Sequence, residues 1–519
     1  MNENKALIKS TRVIGSATLA SRILGFIRDV LIAKLFGTGM RAQAFVVAFR
    51  IPNLLRQIVG EGGTNSAVVP VLSRLKAQGQ EEEFWQAANC LLNISIIVLC
   101  GLTLLGELFA PYIVRVVAPG FIHQPTKLYL TIRLTRWLFP YILLIGLVAY
   151  AMAVLNSLKH FVLPALAPCM LNISLIVSAL VFCPRFKEPV LGLALGVLIG
   201  GVLQLIIQVP LLFSKGLFKK RFSGFIHPRI KEMGRLFLPR ILGIAVYQIN
   251  LFVDIVFASL ILIVGEGAPA ALSFASRIVQ FPLALFGIAL AQAALPTLSG
   301  LAASGDFEQL RKTASFSLRS VFTMMVPATM GIMVLAGPLV KIIFERGNFT
   351  AYSTGITSFA LFFYCLGLTG NAGRIILANS FYSLKDTLTP GKIAGVALLI
   401  NVILNFVLMW PLKLAGLALA TAISVTINFI LLLFAFRKRM GSLDGILPSL
   451  ARVILASAIM GAALRFIFYR TDFLLGGGFF LAAKLVISIL LAIAVYFVAL
   501  MLLAKEEAEI FTGWILRKR

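Results

Sequence analysis

A group of charged side chains interrupts stretches of the sequence that are otherwise apolar. A charge in the middle of a bilayer costs about 2.5–3.5 kcal/mol on insertion scales, so such residues mark functional sites by default. Guanidinium groups bind phosphate in a bidentate manner, and the acids here are too few to neutralise the arginines. The pattern predicts a binding site for an anion such as a lipid phosphate or pyrophosphate. The residues are Arg22, Arg28, Asp29, Arg50, Arg56, Glu61 and Arg277.

A structural role is the alternative for these arginines. They could extend to a headgroup region, or pair with Asp29 and Glu61 to hold helices together. Arg22 and Arg28 are six residues apart and would not share one face of a straight helix, but Gly25 between them could allow a bend.

Oxygen-bearing side chains in the later part of the sequence form a second group. Asp254 lies four residues after Asn250, Asn401 and Asn405 have the same spacing, and Thr421 follows in the next apolar segment. One carboxylate with amide and hydroxyl oxygens suits sodium or a proton. Asn and Thr also serve as hydrogen-bonding links between membrane helices, which is the alternative interpretation.

Enzymatic chemistry is not indicated. The sequence contains no GxxxxGK[ST] loop for nucleotide hydrolysis, and no set of Ser, His and Asp or of paired carboxylates stands at a plausible site. The five cysteines lack CxxC spacing and predict neither disulfides nor zinc. The net charge of +27 is scattered through connecting loops, so we expect no nucleic-acid partner.

The composition excludes a soluble globular protein. Of 519 residues 60% are hydrophobic and 13% charged, with a mean hydropathy of +0.97, whereas soluble domains are about 45–50% apolar and a quarter charged. The sequence therefore predicts an all-α polytopic membrane protein with about fourteen transmembrane helices. The apolar segments are 11–36, 42–75, 86–118, 128–156, 161–183, 188–213, 236–264, 268–301, 313–344, 354–381, 391–411, 414–436, 447–468 and 477–504.

Internal repeats suggest how these helices are organised. RILG at 22–25 recurs at 240–243, AVVPVLSRL at 67–75 resembles AALPTLSGL at 293–301, and LKHFVLP at 158–164 resembles LKDTLTP at 384–390. Six helices fit into this offset, and an even number restores the original direction. We expect two parallel six-helix bundles, 1–222 and 223–440, with two further helices in 441–519. Two such bundles around a central cavity are typical of an alternating-access transporter.

Cationic residues set the expected orientation. Alternate connections hold most Lys and Arg residues, so the positive-inside rule places both termini in the cytoplasm. The basic N-terminus has a short apolar stretch broken by Arg22, which indicates a retained first helix rather than a cleaved signal peptide.

Several motifs together resemble the MurJ (MviN) family of bacterial lipid II flippases. They are SRILGFIRD (21–29), AFRIPNLLRQIVGEG (48–62), VAPGF (117–121), LNISLI (171–176), FERGNFTA (344–351) and FYSLKDTLTP (381–390), and they occur in order along the first twelve segments.

The resemblance implies a fold and a function. It implies a member of the multidrug/oligosaccharidyl-lipid/polysaccharide exporter superfamily in the inner membrane, which moves lipid II, the undecaprenyl-pyrophosphate-linked disaccharide peptide, to the periplasmic leaflet. Membrane lipids and the cell-wall synthesis machinery are the other implied partners. It also implies that the last two helices form a groove for the lipid tail, and that a sodium site surrounds Asp254, Asn401, Asn405 and Thr421. The implied cavity residues are Ser21, Arg22, Arg28, Asp29, Asn53, Arg56, Glu61 and Arg277.

Two departures and three alternatives accompany this resemblance. Some relatives carry an acid where this sequence has Gln43 and Gln280, so acid gating at those positions is not expected here. The alternatives are a flippase for another polyprenyl-linked glycan, an ion-coupled drug exporter of the same superfamily, and a membrane-embedded transferase. An arginine-rich cavity argues against a cationic drug, and the short loops lack a catalytic carboxylate set for a transferase.

Overall fold

The computed structural model describes residues 2–57, 64–217, 224–443, 445–470 and 478–515. Throughout these ranges every regular element is helical. An α-helix satisfies its own backbone N–H and C=O groups, which lipid cannot do, so a chain of this hydropathy is expected to fold in this way. The structure therefore confirms the all-helical class.

The chain divides into two compact units, and the first comprises Met1–Ile261. Its core includes buried side chains of the third, fourth, sixth and tenth helices, among them Leu72, Phe84 and Val154. Short helical turns at Pro119–His123, Ser178–Phe182 and Cys183–Arg185 extend neighbouring helices. The helices are α1 (Asn2–Phe36), α2 (Met40–Leu55), α3 (Thr64–Ala77), α4 (Glu81–Val117), α5 (Pro125–Leu138), α6 (Pro140–Ser157), α7 (Val162–Val177), α8 (Val190–Ile206), α9 (Val209–Lys215) and α10 (Pro228–Ser259).

The second unit comprises Leu262–Arg519. A π-helical segment, Leu283–Ile288, joins its second and third helices. Its helices are α11 (Ile261–Val264, at the boundary), α12 (Ala268–Pro282), α13 (Ala289–Ser304), α14 (Phe307–Val334), α15 (Ala336–Phe344), α16 (Ala351–Leu366), α17 (Leu368–Ser383), α18 (Leu388–Leu412), α19 (Leu414–Met440), α20 (Ile446–Arg470), α21 (Gly478–Leu503) and α22 (Lys505–Ile515).

Helix α14 anchors the last three helices within this unit. The buried Tyr496 hydroxyl on α21 donates to the Thr323 carbonyl at 2.7 Å. Arg319 forms an ion pair with the fully buried side chain of Glu507 on α22 at 2.6 Å, and a second with Glu506. The α20–α22 segment is therefore a packed part of the second unit.

The number of membrane-spanning helices agrees only in part with the sequence-based count. Among the described residues ten helices are long and apolar enough to cross a bilayer, or eleven if α16 and α17, bent by 43°, form one span. The remaining predicted segments correspond to α1, to α2 with α3, and to α10. Helix α1 falls outside the set because Arg22, Arg28 and Asp29 lie in its apolar part.

The internal repeat is visible in the backbone of each unit. Gly79 and Gly305, 226 positions apart, have φ values of +71° and +76° and follow equivalent helices. Lys159 and Lys385, again 226 apart, have φ values of 61° and 58°, which are uncommon for a residue with a Cβ atom. Both lysine N–H groups donate to the carbonyl three residues earlier at 3.0 Å. The sequence repeat thus corresponds to repeated turn geometry.

Asp386 stabilises the second copy of this turn. Its carboxylate accepts the Thr389 backbone N–H at 3.0 Å and the Thr389 hydroxyl at 2.8 Å, and Arg439 contacts it at 2.6 Å. These contacts, the backbone N–H of Thr389 first, hold the pKa of Asp386 below its usual value. A lowered pKa means that the stabilisation is present above the usual aspartate pKa and is lost as the pH falls through the lowered value.

Helix α10 packs on α3 and α4, within the first unit. At its N-terminal end Glu232 contacts Arg74 on α3 at 2.8 Å and Arg229 at 3.4 Å, while Arg229 contacts Glu83 on α4 at 2.8 Å. RILG at 240–243 makes this helix the start of the second sequence repeat, but its packing joins it to helices of the first. The four-residue ion-pair network fixes that arrangement at one end.

We expect Glu232→Gln to loosen the N-terminal end of α10, because it removes the acid shared by two arginines. These side chains are partly exposed, so the fall in Tm should be no more than about 2 °C at low salt and smaller at high salt. The double exchange Arg74→Glu with Glu232→Arg should recover part of the loss. Lys76→Gln, which affects an ion pair confined to α3 and α4, is the control. A salt-independent loss would contradict the electrostatic explanation.

Candidate functional site

The first part of the candidate site lies on α1. Helix α1 continues through Gly25, and a Cβ atom there would meet the Asn172 side chain only at an ordinary 3.7 Å. Arg22 is exposed, Arg28 has 13% of its side chain exposed, and Asp29 is buried. Arg28 is thus the more enclosed of the two arginines.

A hydrogen-bond network fixes the orientation of Arg28. Its Nε and Nη2 donate to Asp29 Oδ1 at 2.9 and 2.7 Å, and its Nη1 donates to Asn172 Oδ1 at 2.8 Å. Asn172, on α7, donates through Nδ2 to the Ser21 carbonyl at 3.0 Å and the Ser21 hydroxyl at 3.3 Å. The structure therefore brings Ser21, Arg28 and Asp29 together. Because Asp29 offsets the charge of Arg28, an incoming anion would share the guanidinium with this carboxylate.

Asn172 was not identified from the sequence as a site residue. It stands in LNISLI, a motif used above only for the family resemblance, and an amide inside an apolar run was the available signal. The sequence does not reveal that α7 packs against α1, and the structure shows this contact.

The second part of the site lies at the end of α2. Arg56 Nε donates to Asn53 Oδ1 at 2.8 Å, and Pro52 precedes this pair within the helix. The neighbouring Gln57 accepts a hydrogen bond from Gln248 on α10. Arg50 is half-buried on the same helix. Glu61 lies outside the described residues.

In the second unit, Arg277 is exposed on α12 just before the π-helical segment. The same unit contains an intramembrane arginine that the sequence analysis overlooked. Arg374, on α17, donates through Nη2 and Nε to Asn371 Oδ1 at 2.9 and 3.3 Å. The sequence contained the signal for this residue, because Arg374 interrupts the apolar segment 354–381 in the way that the other arginines interrupt theirs.

The side chain of a buried lysine, Lys127, contacts Gln43. Lys127 is only 1% exposed; its Nζ donates to Gln43 Oε1 at 2.9 Å and lies 4.8 Å from the centre of the Phe121 ring. Gln43, itself fully buried, donates to the Thr38 carbonyl at 3.0 Å. This chain therefore uses a neutral amide to bind a buried ammonium group.

The predicted cation residues fall in both units. In the second, the buried Asn405 donates to Asn401 at 2.9 Å, and Asn401 approaches Ser424 on α19 at 3.5 Å. Thr421 donates to the Leu417 carbonyl at 3.0 Å. This cluster supplies amide and hydroxyl oxygens without a carboxylate, a donor set that fits a monovalent cation better than a divalent one. It also links α18 to α19 directly. Asp254 is half-buried on α10 of the first unit.

The fold and these intramembrane polar groups define a class, the polytopic helical membrane proteins. An inward-facing multidrug resistance MATE family transporter of the MOP superfamily has a similar fold, with a TM-score of 0.69 at 17% identity over 83% of this chain and 98% of that one.

The chain belongs to the MurJ family: the family model described as lipid II flippase MurJ matches residues 32–503. The lipid II flippase MurJ of Burkholderia cenocepacia is 34% identical over 442 residues, which are 83% of this chain and 84% of the relative. A solved structure of lipid II flippase MurJ in an inward closed conformation has a TM-score of 0.80 at 28% identity, covering 97% of this chain and 99% of that one.

Replacing Gln43 tests the buried lysine contact. Gln43→Leu removes the amide oxygen that Lys127 contacts, and we expect a loss of about 1–3 kcal/mol in the free energy of unfolding. Gln43→Glu keeps an acceptor for Lys127 but loses the N–H group that the Thr38 carbonyl accepts, so it should lose less stability than Gln43→Leu. Denaturation of the purified protein in detergent measures both, with the exposed Gln78→Leu as control. If Gln43→Leu equals that control, the contact does not stabilise the fold.

Proposed function

We propose that this protein moves lipid II from the cytoplasmic to the periplasmic leaflet of the bacterial inner membrane. Membership of the MurJ family across residues 32–503 carries the proposal. Lipid II is an undecaprenyl-pyrophosphate-linked disaccharide peptide, so its head is large, polar and anionic, and it crosses the bilayer only if the protein substitutes for its water.

In this proposal arginine side chains take the place of the water that surrounds the anionic head. In the proposed mechanism Arg28, Arg56 and Arg277 contact the pyrophosphate, and Arg22, the more exposed arginine of α1, meets the head as it enters. Asn172 and Asn53 support the proposal because their hydrogen bonds orient Arg28 and Arg56. An oriented guanidinium loses less conformational freedom when it binds an anion. Ser21, Asp29 and Glu61 complete the proposed set.

The proposed transport cycle is alternating access. Two six-helix bundles, 1–222 and 223–440, rock so that the head site opens first to the cytoplasm and then to the periplasm. Six spans in each bundle give the two bundles the same orientation, and fourteen spans in all leave both termini in the cytoplasm. The polyprenyl tail stays in lipid along the helices of 441–519. An apolar groove of ≈ 410 Å³, lined by residues such as Ile459 and Val498 of α20 and α21, supports this assignment.

Exposure of lipid II in the outer leaflet tests the proposal. In bacterial cells depleted of their own flippase, the parent chain should restore exposure, and Arg28→Ala should reduce it at least tenfold because the pyrophosphate loses a charge-assisted contact. Arg41→Ala, at an exposed ion pair with Glu188, is the matched control. A well-expressed parent that restores nothing would exclude lipid II as cargo and favour another polyprenyl-linked glycan. A fully active Arg28→Ala would overturn the role of the arginine.

A monovalent cation is the proposed energy source. Asp254, Asn401, Asn405 and Thr421 would bind sodium or a proton, since the membrane potential supplies about 2.3 kcal/mol per charge at 100 mV. We also propose that cell-wall synthesis enzymes, which consume lipid II, are partners.

Ion replacement tests the cation site. Transport by the parent should fall when sodium is replaced by choline at constant pH, and Asp254→Asn should make the rate independent of sodium because the only carboxylate of the proposed set is removed. The measurement is lipid II exposure in vesicles of defined internal and external salt. Equal sodium dependence in parent and variant would contradict a role of Asp254 in sodium binding. A parent that responds to a pH gradient and not to sodium would assign the site to protons.

A further inference from the structure

Two cations and two aromatic rings form a cluster where α20 and α21 approach their connection. The Arg465 guanidinium lies 5.7 Å from the centre of the Tyr469 ring, on α20. Lys484 Nζ, on α21, lies 5.1 Å from the centre of the Phe468 ring. The two rings meet edge to face with their centres 5.2 Å apart. The ring faces attract the cations, so this ring pair positions one cation from each helix.

Tyr469 orients Arg465 without offsetting its charge. The Tyr469 hydroxyl donates to the carbonyl of Val334, the last residue of α14, at 3.4 Å, which holds the ring in place. The face of a neutral ring attracts a cation through its quadrupole and supplies no counter-charge. This contact therefore fixes the guanidinium and leaves its charge in place.

The side of α20 that carries Arg465 is exposed along the length of the helix. Arg465 is itself exposed, and the residues within about 60° of it around the helix axis are apolar and exposed as well. They are Leu447, Ile454, Ala458 and Ala462. Because α20 is long and apolar enough to cross a bilayer, such a side indicates contact with lipid. Arg465 therefore stands at the surface where the protein meets lipid molecules.

Both cations stand at nearly the same depth. Arg465 precedes Arg470, the last residue of α20, by five positions, and Lys484 follows Gly478, the first residue of α21, by six. At 1.5 Å per residue these positions are roughly 7.5 and 9 Å from the helix ends. Long cationic side chains near a helix end reach the headgroups of the nearer leaflet, where lipid phosphates lie.

The apolar groove of α20 and α21 continues the side of α21 that carries Lys484. Three residues of the groove, Val495, Val498 and Leu502, lie within about 40° of Lys484 around the helix axis. They stand roughly 17–27 Å from Lys484 along the helix. One leaflet of hydrocarbon is only about 15 Å thick, so the acyl chain of a phospholipid with its phosphate at the cluster ends before the groove. The much longer polyprenyl chain reaches through it.

We propose that Arg465 and Lys484 bind the phosphates of the polyprenyl lipid in the leaflet to which it is delivered, while its tail passes along α21 into the groove. The inference rests on the proposed function, which puts the connection between α20 and α21 on the periplasmic side. The guanidinium supplies a planar fork of N–H donors and the ammonium a point charge, a pair that suits a pyrophosphate. The cluster would retain the lipid at the protein surface after its head has crossed the membrane.

Site-resolved crosslinking to the full-length protein in phosphatidylcholine nanodiscs tests the proposal. The probe is undecaprenyl pyrophosphate with a photoreactive diazirine in the isoprene unit next to the pyrophosphate, and mass spectrometry of the digested protein locates the crosslinks. The parent should crosslink within 460–490. The double variant Arg465→Gln with Lys484→Gln should lower that yield about tenfold at subsaturating probe, since hydrogen bonds between charged groups are the strong ones. Arg452→Gln, which removes an exposed cation near the other end of α20, is the matched control.

A second probe separates the cargo from ordinary phospholipid. Dioleoyl phosphatidic acid with a diazirine beside its glycerol has a phosphate but only short chains, and its yield within 460–490 should be the same in the parent and the double variant. A yield that depends on Arg465 and Lys484 as strongly as that of the polyprenyl probe would assign the cluster to phospholipid headgroups and overturn the inference.

The position of the crosslinks separates this inference from the proposed function. Crosslinks of the polyprenyl probe that lie only outside 460–490, or a yield there that the double variant does not change, overturn the inference and leave the proposed function intact. A parent that crosslinks nowhere overturns both. If the double variant has a lowered Tm, Arg465→Gln alone decides, because it keeps the contact of Lys484 with Phe468: a yield at least threefold lower supports the inference, and a parent-like yield overturns it.

Discussion

The cost of placing a charge in lipid governs the arrangement of this protein. Three of the intramembrane arginines have a polar partner close by in sequence: Arg28 has Asp29, Arg56 has Asn53 and Arg374 has Asn371. Partners one or three residues away need no tertiary contact to form, so the guanidinium is solvated by its own helix before any other helix arrives. The helices that carry these groups can therefore insert and still present cations to a substrate.

The chemical nature of the partner distinguishes the arginines from one another. A carboxylate partner lowers the net charge of the site, and an amide partner leaves it unchanged. Arg28 is therefore an oriented group that a carboxylate partly neutralises, whereas amide oxygens orient Arg56 and Arg374. A substrate with several anionic groups would meet sites of different strength as it moves.

The sequence was sufficient for the helices and for much of the local chemistry. Hydropathy located the helical segments because a backbone in lipid must pair its own N–H and C=O groups, as an α-helix does. The repeat in LKHFVLP and LKDTLTP located two equivalent turns. It was insufficient wherever a partner comes from a distant helix. The contact of Asn172 with Arg28 and that of Lys127 with Gln43 span 144 and 84 residues, and no periodicity encodes such distances. Arg374 was missed for a different reason, since its own segment contained the signal.

The paired turns also record how the gene has changed since its two halves diverged. The glycine turn and the lysine turn are separated by the same number of residues in both copies, Gly79 to Lys159 and Gly305 to Lys385. Between them neither half has gained or lost a net residue, although most side chains have been replaced. Loop insertions are usually tolerated, but the equal spacing here keeps the combined length of the helices and loops between the two turns the same in both halves. This stretch of either half is therefore a poor place to insert a tag or reporter.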